Sequence, residues 1–207
     1  FAVGETLRYD ARIGLLPAGS ASSTVVRRDT LRGTPVLVFA MQGSGGPPGI
    51  GAAYSMTSWT AAAPFTTRRF HRRVSIAGRV DEHDYQVVPD SLRYRETGGR
   101  QDWVAPAAPL DELALLYYLR TLPLEVGQAR ALHGYFKNGD NPVTVSVTGR
   151  DVITLGDGTG VTALALVITS AGTTSRIWLS ADSARLPVQL ELPLSFGRVR
   201  LVLRSRP

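Results

Sequence analysis

The sequence predicts a mostly β protein: one large, strongly curved antiparallel sheet, a half-barrel or open barrel of about a dozen strands, covered or plugged by one helix. Three observations predict this fold. Short alternating segments are separated by turn residues, tight-turn signals occur at 138–139 (Asn-Gly) and 156–158 (Gly-Asp-Gly), and helical periodicity is clear at 110–121. Neither a fixed-period repeat nor a linker interrupts the 207 residues, so we expect a single domain, 1–207.

The first segment shows the alternation that recurs along the chain. Leu7, Tyr9, Ala11 and Ile13 point to one side of the predicted strand, and polar residues point to the other. Pro-Ala-Gly at 17–19 predicts the turn that ends it. Further strands are predicted at 20–30, 35–42, 53–60, 66–76, 79–88 and 91–96, and then at 129–137, 142–154, 159–170, 173–180, 187–194 and 198–205.

The segment 43–51, GSGGPPGIG, interrupts this pattern. Its glycines and its Pro-Pro pair disfavour a regular ladder of hydrogen bonds. It lacks the Gly-Lys-Ser/Thr ending of a phosphate-binding loop, and we expect a mobile loop or lid. The sequence does not indicate its role.

The predicted helix, 110–121, is apolar around most of its circumference. Pro109 suits its start, Asp111 and Glu112 complement the positive end of the helix dipole, and Arg120 complements the negative end. A helix that is apolar on every side is buried or covers an apolar surface. It would therefore either plug or cover the concave face of the sheet, or simply complete the core.

Composition restricts the classes of partner. The net charge is +6, with 22 arginines and one lysine, Lys137, which favours anionic partners such as lipid head groups and acidic glycans. No RNP motif, zinc-finger spacing or basic helix is present, so we expect no nucleic-acid partner. The absence of cysteine excludes disulfides and thiolate metal sites. No apolar run reaches 18 residues, so we expect the chain to be peripheral to a membrane at most.

The densest polar signal lies at 66–88. On a strand, Arg69, His71 and Arg73 share one face, and such a row could bind a phosphate or carboxylate group. The alternative is a solvated face whose charges pair with the acidic residues of 81–84 across a hairpin. That acidic run has neither HExxH nor calcium-loop spacing, and we expect a solvated turn there, with no metal and no cofactor.

No residue set identifies a reaction. The three histidines, His71, His83 and His133, lie outside any nucleophile motif, and GxSxG is absent. The sequence therefore assigns no catalytic residue and favours a protein that is not an enzyme.

Three stretches, at the start, middle and end of the chain, resemble bacterial exported proteins of the "domain of unknown function 3108" family. The matching residues of the first are Phe1, Gly4, Glu5, Leu7, Tyr9, Ala18 and Gly19. Those of the second are Asp111, Leu116, Tyr117, Tyr118, Arg120 and Gly127. Those of the third are Ile177, Trp178, Ser180, Asp182, Pro187 and Val188.

The resemblance implies a periplasmic or secreted protein with a fold similar to that of lipoprotein carriers, in which a half-barrel shelters apolar ligands beneath a helix. It transfers no catalytic residue. The chain begins at Phe1 without a methionine, and we expect that a targeting segment has been removed.

Our leading hypothesis is a monomeric cell-envelope protein that binds a lipid, acyl chain or glycan on the concave face, with the helix 110–121 over the opening. Tyr117 and Trp178 would line the site with Leu7 and Tyr9, and the row Arg69, His71 and Arg73 would meet an anionic head group. The alternatives are an enzyme acting on envelope polysaccharide or lipid, and a structural or assembly protein of the envelope.

Overall fold

The computed structural model describes residues 1–46, 50–194 and 197–206, and within them it contains fourteen strands and one α-helix. The predicted mostly β fold is confirmed. The elements are β1 Thr6–Ile13, β2 Leu16–Leu31, β3 Thr34–Gly45, β4 Ala52–Ala62, β5 Phe65–Ile76, β6 Arg79–Val88, β7 Arg93–Glu96, β8 Asp102–Val104, α1 Glu112–Leu119, β9 Ala129–Leu132, β10 Val143–Thr154, β11 Gly160–Ser170, β12 Thr173–Ser180, β13 Pro187–Leu194 and β14 Gly197–Leu203.

All fourteen strands form one antiparallel sheet made of two meanders, β1–β8 and β9–β14. The first and last strands join the meanders, with Tyr9 opposite Leu203 and Ala11 opposite Leu201. The edge strands are β8 and β9, and in the part of the chain that the structure describes they do not pair with each other. The sheet is therefore curved but not closed, as predicted.

The segment between β8 and α1 bridges the gap between the two edges. The Thr67 N–H donates to the Pro109 carbonyl at 2.7 Å, on the β5 side of the gap. On the other side, the Leu110 N–H donates to the Gly134 carbonyl at 2.6 Å, and the Phe136 N–H donates to the Leu110 carbonyl at 3.0 Å. These bonds satisfy backbone groups that an open sheet would leave to water.

The helix α1 plugs the concave side of the sheet against β3, β4 and β5. It is shorter than the predicted 110–121 because Asp111 is its N-cap and Arg120 its C-cap. The Tyr117 ring stacks on Phe39 with centroids 4.0 Å apart, a contact worth about 0.5–1.5 kcal/mol beyond burial. Leu119 is fully buried. The interpretation of the helix as a plug is confirmed.

The Asp111 carboxylate fixes the start of the helix to the sheet. One oxygen accepts the backbone N–H groups of Leu113 and Ala114 at 2.9 and 2.8 Å. The other accepts the hydroxyls of Ser58 at 2.5 Å and Thr67 at 2.8 Å. The carboxyl group is wholly buried and both of its oxygens are hydrogen-bonded, which is the condition under which a buried carboxyl group is tolerated.

The first predicted turn is wrong in position. The chain reverses at 14–15, and Pro17–Gly19 lie inside β2. Gly19 faces Gly45 of β3 across a close approach, and a Cβ atom at 19 would lie 2.0 Å from the Ser44 carbonyl oxygen. The glycine therefore allows two strands to come together rather than forming a turn.

Three further predictions are corrected or only partly covered by the described residues. The acidic run 81–84 lies within β6 rather than in a turn, because its side chains pair with those of β5. In the loop 43–51, residues 43–45 end β3, and 47–49 lie outside the described residues. The strand predicted at 129–137 ends at Leu132. In the described ranges, no helix has the length and apolarity needed to cross a bilayer.

We expect Asp111→Ala to lower the free energy of unfolding by about 2–4 kcal/mol, because it removes a helix cap and leaves two buried hydroxyls without their acceptor. Asp111→Asn retains one acceptor oxygen for the helix N–H groups and should cost about half as much or less. Chemical denaturation monitored by circular dichroism measures both. Asp90→Ala, at a carboxylate with 82% of its side chain exposed, is the control and should change stability by less than about 0.5 kcal/mol.

The same carboxyl should make stability depend on pH. Burial raises the pKa of Asp111 to about 7, against the lowering effect of its hydrogen bonds, whereas an unfolded aspartate titrates near ~3.9. Between these pH values the folded state binds more protons than the unfolded state. The stabilisation by the protonated Asp111 carboxyl is therefore complete below about pH 4 and is lost as the pH rises through about 7.

The difference in unfolding free energy between wild type and Asp111→Asn should therefore shrink as the pH rises from 4.5 to 8, with a slope of at most ~1.4 kcal/mol per pH unit. Denaturation midpoints measured across this range test it. A difference that grows with pH would show that the ionised carboxylate stabilises the fold instead.

Candidate ligand-binding cavity

A cavity of about 660 Å³ lies between the concave face of the sheet and the helix. Strands from both meanders contribute to its wall, and α1 contributes Leu113, Leu115 and Leu116. Most of the wall side chains are apolar, among them Met41, Met56, Ile168, Ile177, Leu190 and Leu201. This arrangement can shield an apolar ligand from water.

The cavity opens at one rim of the sheet. Its wall includes the cross-strand neighbours Ile13 and Val199, which lie at the end of β1 and the start of β14. Gly45, Ala52 and Ile76 are successive cross-strand neighbours at the adjoining ends of β3, β4 and β5, and they line it too. These strand ends belong to the same edge of an antiparallel meander, so they surround a common mouth.

The opposite end is closed by a buried ion pair at the C-terminus of the helix. Arg120 donates to both carboxylate oxygens of Glu5, at 2.5 and 3.0 Å, and to the Ala184 carbonyl at 3.2 Å. The Arg120 side chain is 3% exposed, and its guanidinium lies 5.2 Å from the Phe1 ring centroid. The helix is thus anchored beneath the cavity as its floor and does not cover the mouth.

A few polar side chains interrupt the apolar wall. Arg72 pairs with Asp81 at 2.8 Å. Tyr135 donates its hydroxyl to Glu112 Oε1 at 2.8 Å, and burial together with the Glu112 charge raises the pKa of this tyrosine. Burial also raises the pKa of Tyr54. Among the described residues, the Tyr54 hydroxyl and Glu112 Oε2 are buried polar atoms without a hydrogen-bond partner.

The predicted arginine and histidine row lies outside this cavity. Arg69 binds Asp84 through two hydrogen bonds of 2.9 and 2.8 Å, which raise the pKa of the arginine. His71 and Arg73 both bind Glu82, at 2.9 and 2.7 Å, and the His71 bond chiefly lowers the pKa of that carboxyl. This is the cross-hairpin pairing that the sequence left open as the alternative.

Strand alternation explains why the row points away. Arg72 and Val74 line the cavity, so the odd-numbered neighbours on β5 project from the opposite face. Sequence reasoning identified the two faces of this strand but had no signal for which of them is concave. Arg72 was therefore missed as a residue of the cavity wall.

The two aromatic residues predicted to line the site are held elsewhere. Tyr117 is 2% exposed, and its hydroxyl shares a 3.0 Å hydrogen bond with Ser23. Trp178 donates its indole N–H to Asp151 at 2.7 Å, and it follows Ile177, which faces the cavity, so it projects from the other face.

Leu7 and Tyr9, also predicted to line the site, are buried in the core, where the Tyr9 hydroxyl donates to the Pro187 carbonyl at 2.9 Å. Neither residue lines the cavity. Glu112 and Tyr135, which do line it, carried no distinguishing sequence signal, because one begins a helix and the other lies within the predicted strand 129–137.

A second, more polar depression of about 500 Å³ lies on the outer side of β1–β5. Arg8, Arg73 and Arg204 border it, and small polar residues such as Ser22 and Ser55 line it. Arg73 is thus the member of the predicted row that borders a depression. Across residues 1–46, 50–194 and 197–206, no cluster of three or more histidine or acidic side chains could hold a metal ion.

The fold is similar to that of a β-barrel-like protein of domain of unknown function DUF1849 from Brucella abortus. The TM-score is 0.59 with 10% sequence identity, and the match covers 97% of this chain and 95% of that one. None of the curated proteins compared with the chain matches it. A family model described as "Protein of unknown function (DUF3108)" matches residues 8–204. Since this match spans nearly the whole sequence, the chain belongs to the DUF3108 family.

Proposed function

We propose that the protein binds the apolar part of a lipid or acyl chain in the cavity above the helix. The observation that carries this proposal is the apolar cavity of about 660 Å³ that opens at one rim. Ligand sites in proteins typically enclose ~300–1,000 Å³, with apolar walls and a few polar groups. The cavity has this size and this composition.

Packing energetics support the proposal. Protein interiors are close-packed, and unfilled apolar space costs stability because its lining loses dispersion contacts. Here Leu115 lines the cavity and is only partly buried, although the neighbouring Tyr117 and Leu119 are packed in the core. A ligand that fills the space would restore the contacts that the wall lacks.

The proposal also places the protein outside the cytoplasm, in the periplasm or secreted, as a monomer of the cell envelope. Its support is the resemblance to exported proteins, carried by three stretches of the chain. The net charge of +6 suits a surface near anionic lipid or glycan.

An anionic glycan is a second candidate ligand, at the outer depression. The observation that favours it is the juxtaposition of three arginines with serine hydroxyls around about 500 Å³. Arginine donors suit carboxylate or sulfate groups, but Arg73 and Arg204 already bind Glu82 and Asp10. The apolar cavity is therefore the better supported site.

We expect native mass spectrometry of the purified protein to show a population heavier than the polypeptide by the mass of a lipid. The extra mass should disappear on denaturation, and organic extraction should recover it in a form that lipid analysis can identify. A glycan in the extract would favour the second candidate. A clean apo mass that persists after incubation with envelope lipid extract would contradict the proposal.

A variant that fills the cavity should reduce binding. Ser175 lines the cavity opposite Ile168, and Ser175→Phe should weaken binding of an apolar fluorescent dye by roughly tenfold or more, because the ring occupies the volume of the ligand. Thr174→Phe, on the other face of the same strand, is the matched control and should leave the affinity unchanged. If both variants bind the dye with equal affinity, the dye does not bind in this cavity.

A further inference from the structure

We propose that the ligand of this cavity carries a hydrogen-bond donor, a hydroxyl or an ammonium group, and that Glu112 is the residue that receives it. This inference rests on the proposed function, because it requires a ligand in the cavity, and it adds the chemistry of the polar end of that ligand.

The first observation is the incomplete set of partners around the Glu112 carboxylate. Oε1 accepts the Tyr135 hydroxyl at 2.8 Å, whereas Oε2 is buried and has no partner among the described residues. A carboxylate oxygen can accept two hydrogen bonds, and a buried one without any is costly. Because this oxygen has almost no accessible surface, it reaches a ligand in the cavity only when the broad terminal torsion of the glutamate rotates it toward that space.

A second residue of the cavity wall also has a buried polar atom without a hydrogen-bond partner among the described residues. Tyr54 lines the cavity from β4, packs over Gly43, and leaves its hydroxyl buried without a partner. The two unpartnered atoms come from different elements, the sheet and the helix, and both residues border the same space. Both atoms are covered in this structure, so a ligand with polar atoms of its own would satisfy them once these side chains rotate toward it.

The charges of the wall decide the sign of the ligand group. Glu112 and Asp140 both line the cavity. Arg72 also lines it, but its guanidinium is engaged by Asp81 at 2.8 Å. A carboxylate or phosphate placed near Glu112 would face a like charge in an apolar environment, whereas a hydroxyl or ammonium group would donate to it.

The position of Glu112 at the first turn of α1 does not by itself explain these contacts. A glutamate there stabilises the helix through the interaction of its charge with the helix dipole. That role requires neither a bond to Tyr135 nor a place in the wall of a cavity. The geometry is that of a recognition group held in position by a tyrosine.

The test is a displacement assay with matched twelve-carbon amphiphiles, used below their micelle concentrations on protein freed of co-purified ligand. The neutral dye N-phenyl-1-naphthylamine reports occupancy. We expect 1-dodecanol and dodecylamine to displace it at concentrations roughly tenfold lower than methyl dodecanoate or dodecanoate, since a hydrogen bond to a charged group favours the donors. The alcohol and the amine together distinguish a hydroxyl from an ammonium group.

Glu112→Gln provides the matched variant. The amide keeps an acceptor for the Tyr135 hydroxyl but replaces the free oxygen with an N–H donor. The preference for dodecanol should be lost, and dodecanoate should bind better than to the wild type. Glu125→Gln removes the same charge at an exposed position outside the cavity wall and should retain the wild-type order.

The two proposals fail in different ways. If the dye and all four amphiphiles fail to bind the wild type, the cavity is not a lipid site and the proposed function is overturned together with this inference. If they bind with equal affinity, or if dodecanoate binds best and Glu112→Gln changes nothing, the cavity binds apolar ligands but Glu112 does not select them. The ranking on the wild type stands even if a variant folds poorly.

Discussion

The buried Asp111 carboxylate is the interaction on which the rest of the structure depends, because it joins the helix to the sheet. An eight-residue helix is too short to be stable alone, since isolated helices shorter than ~12–15 residues are marginal in water. Its start is fixed by two backbone donors of the helix and two hydroxyl donors of β4 and β5. Because this end is fixed, the helix packs against the concave face of the sheet. The space left between the helix and the sheet is a cavity rather than open solvent.

The stretches that carry the family resemblance meet at the closed end of the sheet. Glu5 from the first stretch binds Arg120 from the second, and Arg120 reaches the loop that carries Ala184, within the third. Tyr9 from the first stretch donates to the Pro187 carbonyl in the third. These contacts hold the helix and the two meanders together and lie away from the mouth. The matched residues therefore identify the fold, because they hold it together, but they do not indicate a ligand.

Much of the architecture was predictable because strand alternation and helix periodicity are local properties. The strands at 79–88 and 173–180 and the helix plug followed from such patterns. The turn at 17–19 was misplaced because glycine serves equally for a reversal and for the close approach of Gly19 to Gly45. The cavity residues were not predictable, because the side of a strand that becomes concave depends on the curvature of the whole sheet. Periodicity shows which residues of β5 share a face, but it does not show which face is concave. The arginines on the face of Arg69 pair with acidic residues of β6.

The helix is apolar on nearly every side because it meets two apolar environments. Tyr117 and Leu119 pack into the core, and the buried Leu113 and Leu116 border the cavity together with the partly exposed Leu115. In a helix that merely completed a core, both sides would be covered by protein; here a ligand would complete the cover over Leu115. A ligand would then act as part of the core, and binding and folding would be linked. At a hundredfold excess over its dissociation constant, such a ligand would add about 2.7 kcal/mol to the free energy of unfolding. The same linkage would explain why the cavity wall contains polar atoms without hydrogen-bond partners in the described part of the chain. These atoms would gain their partners in the complex with the ligand.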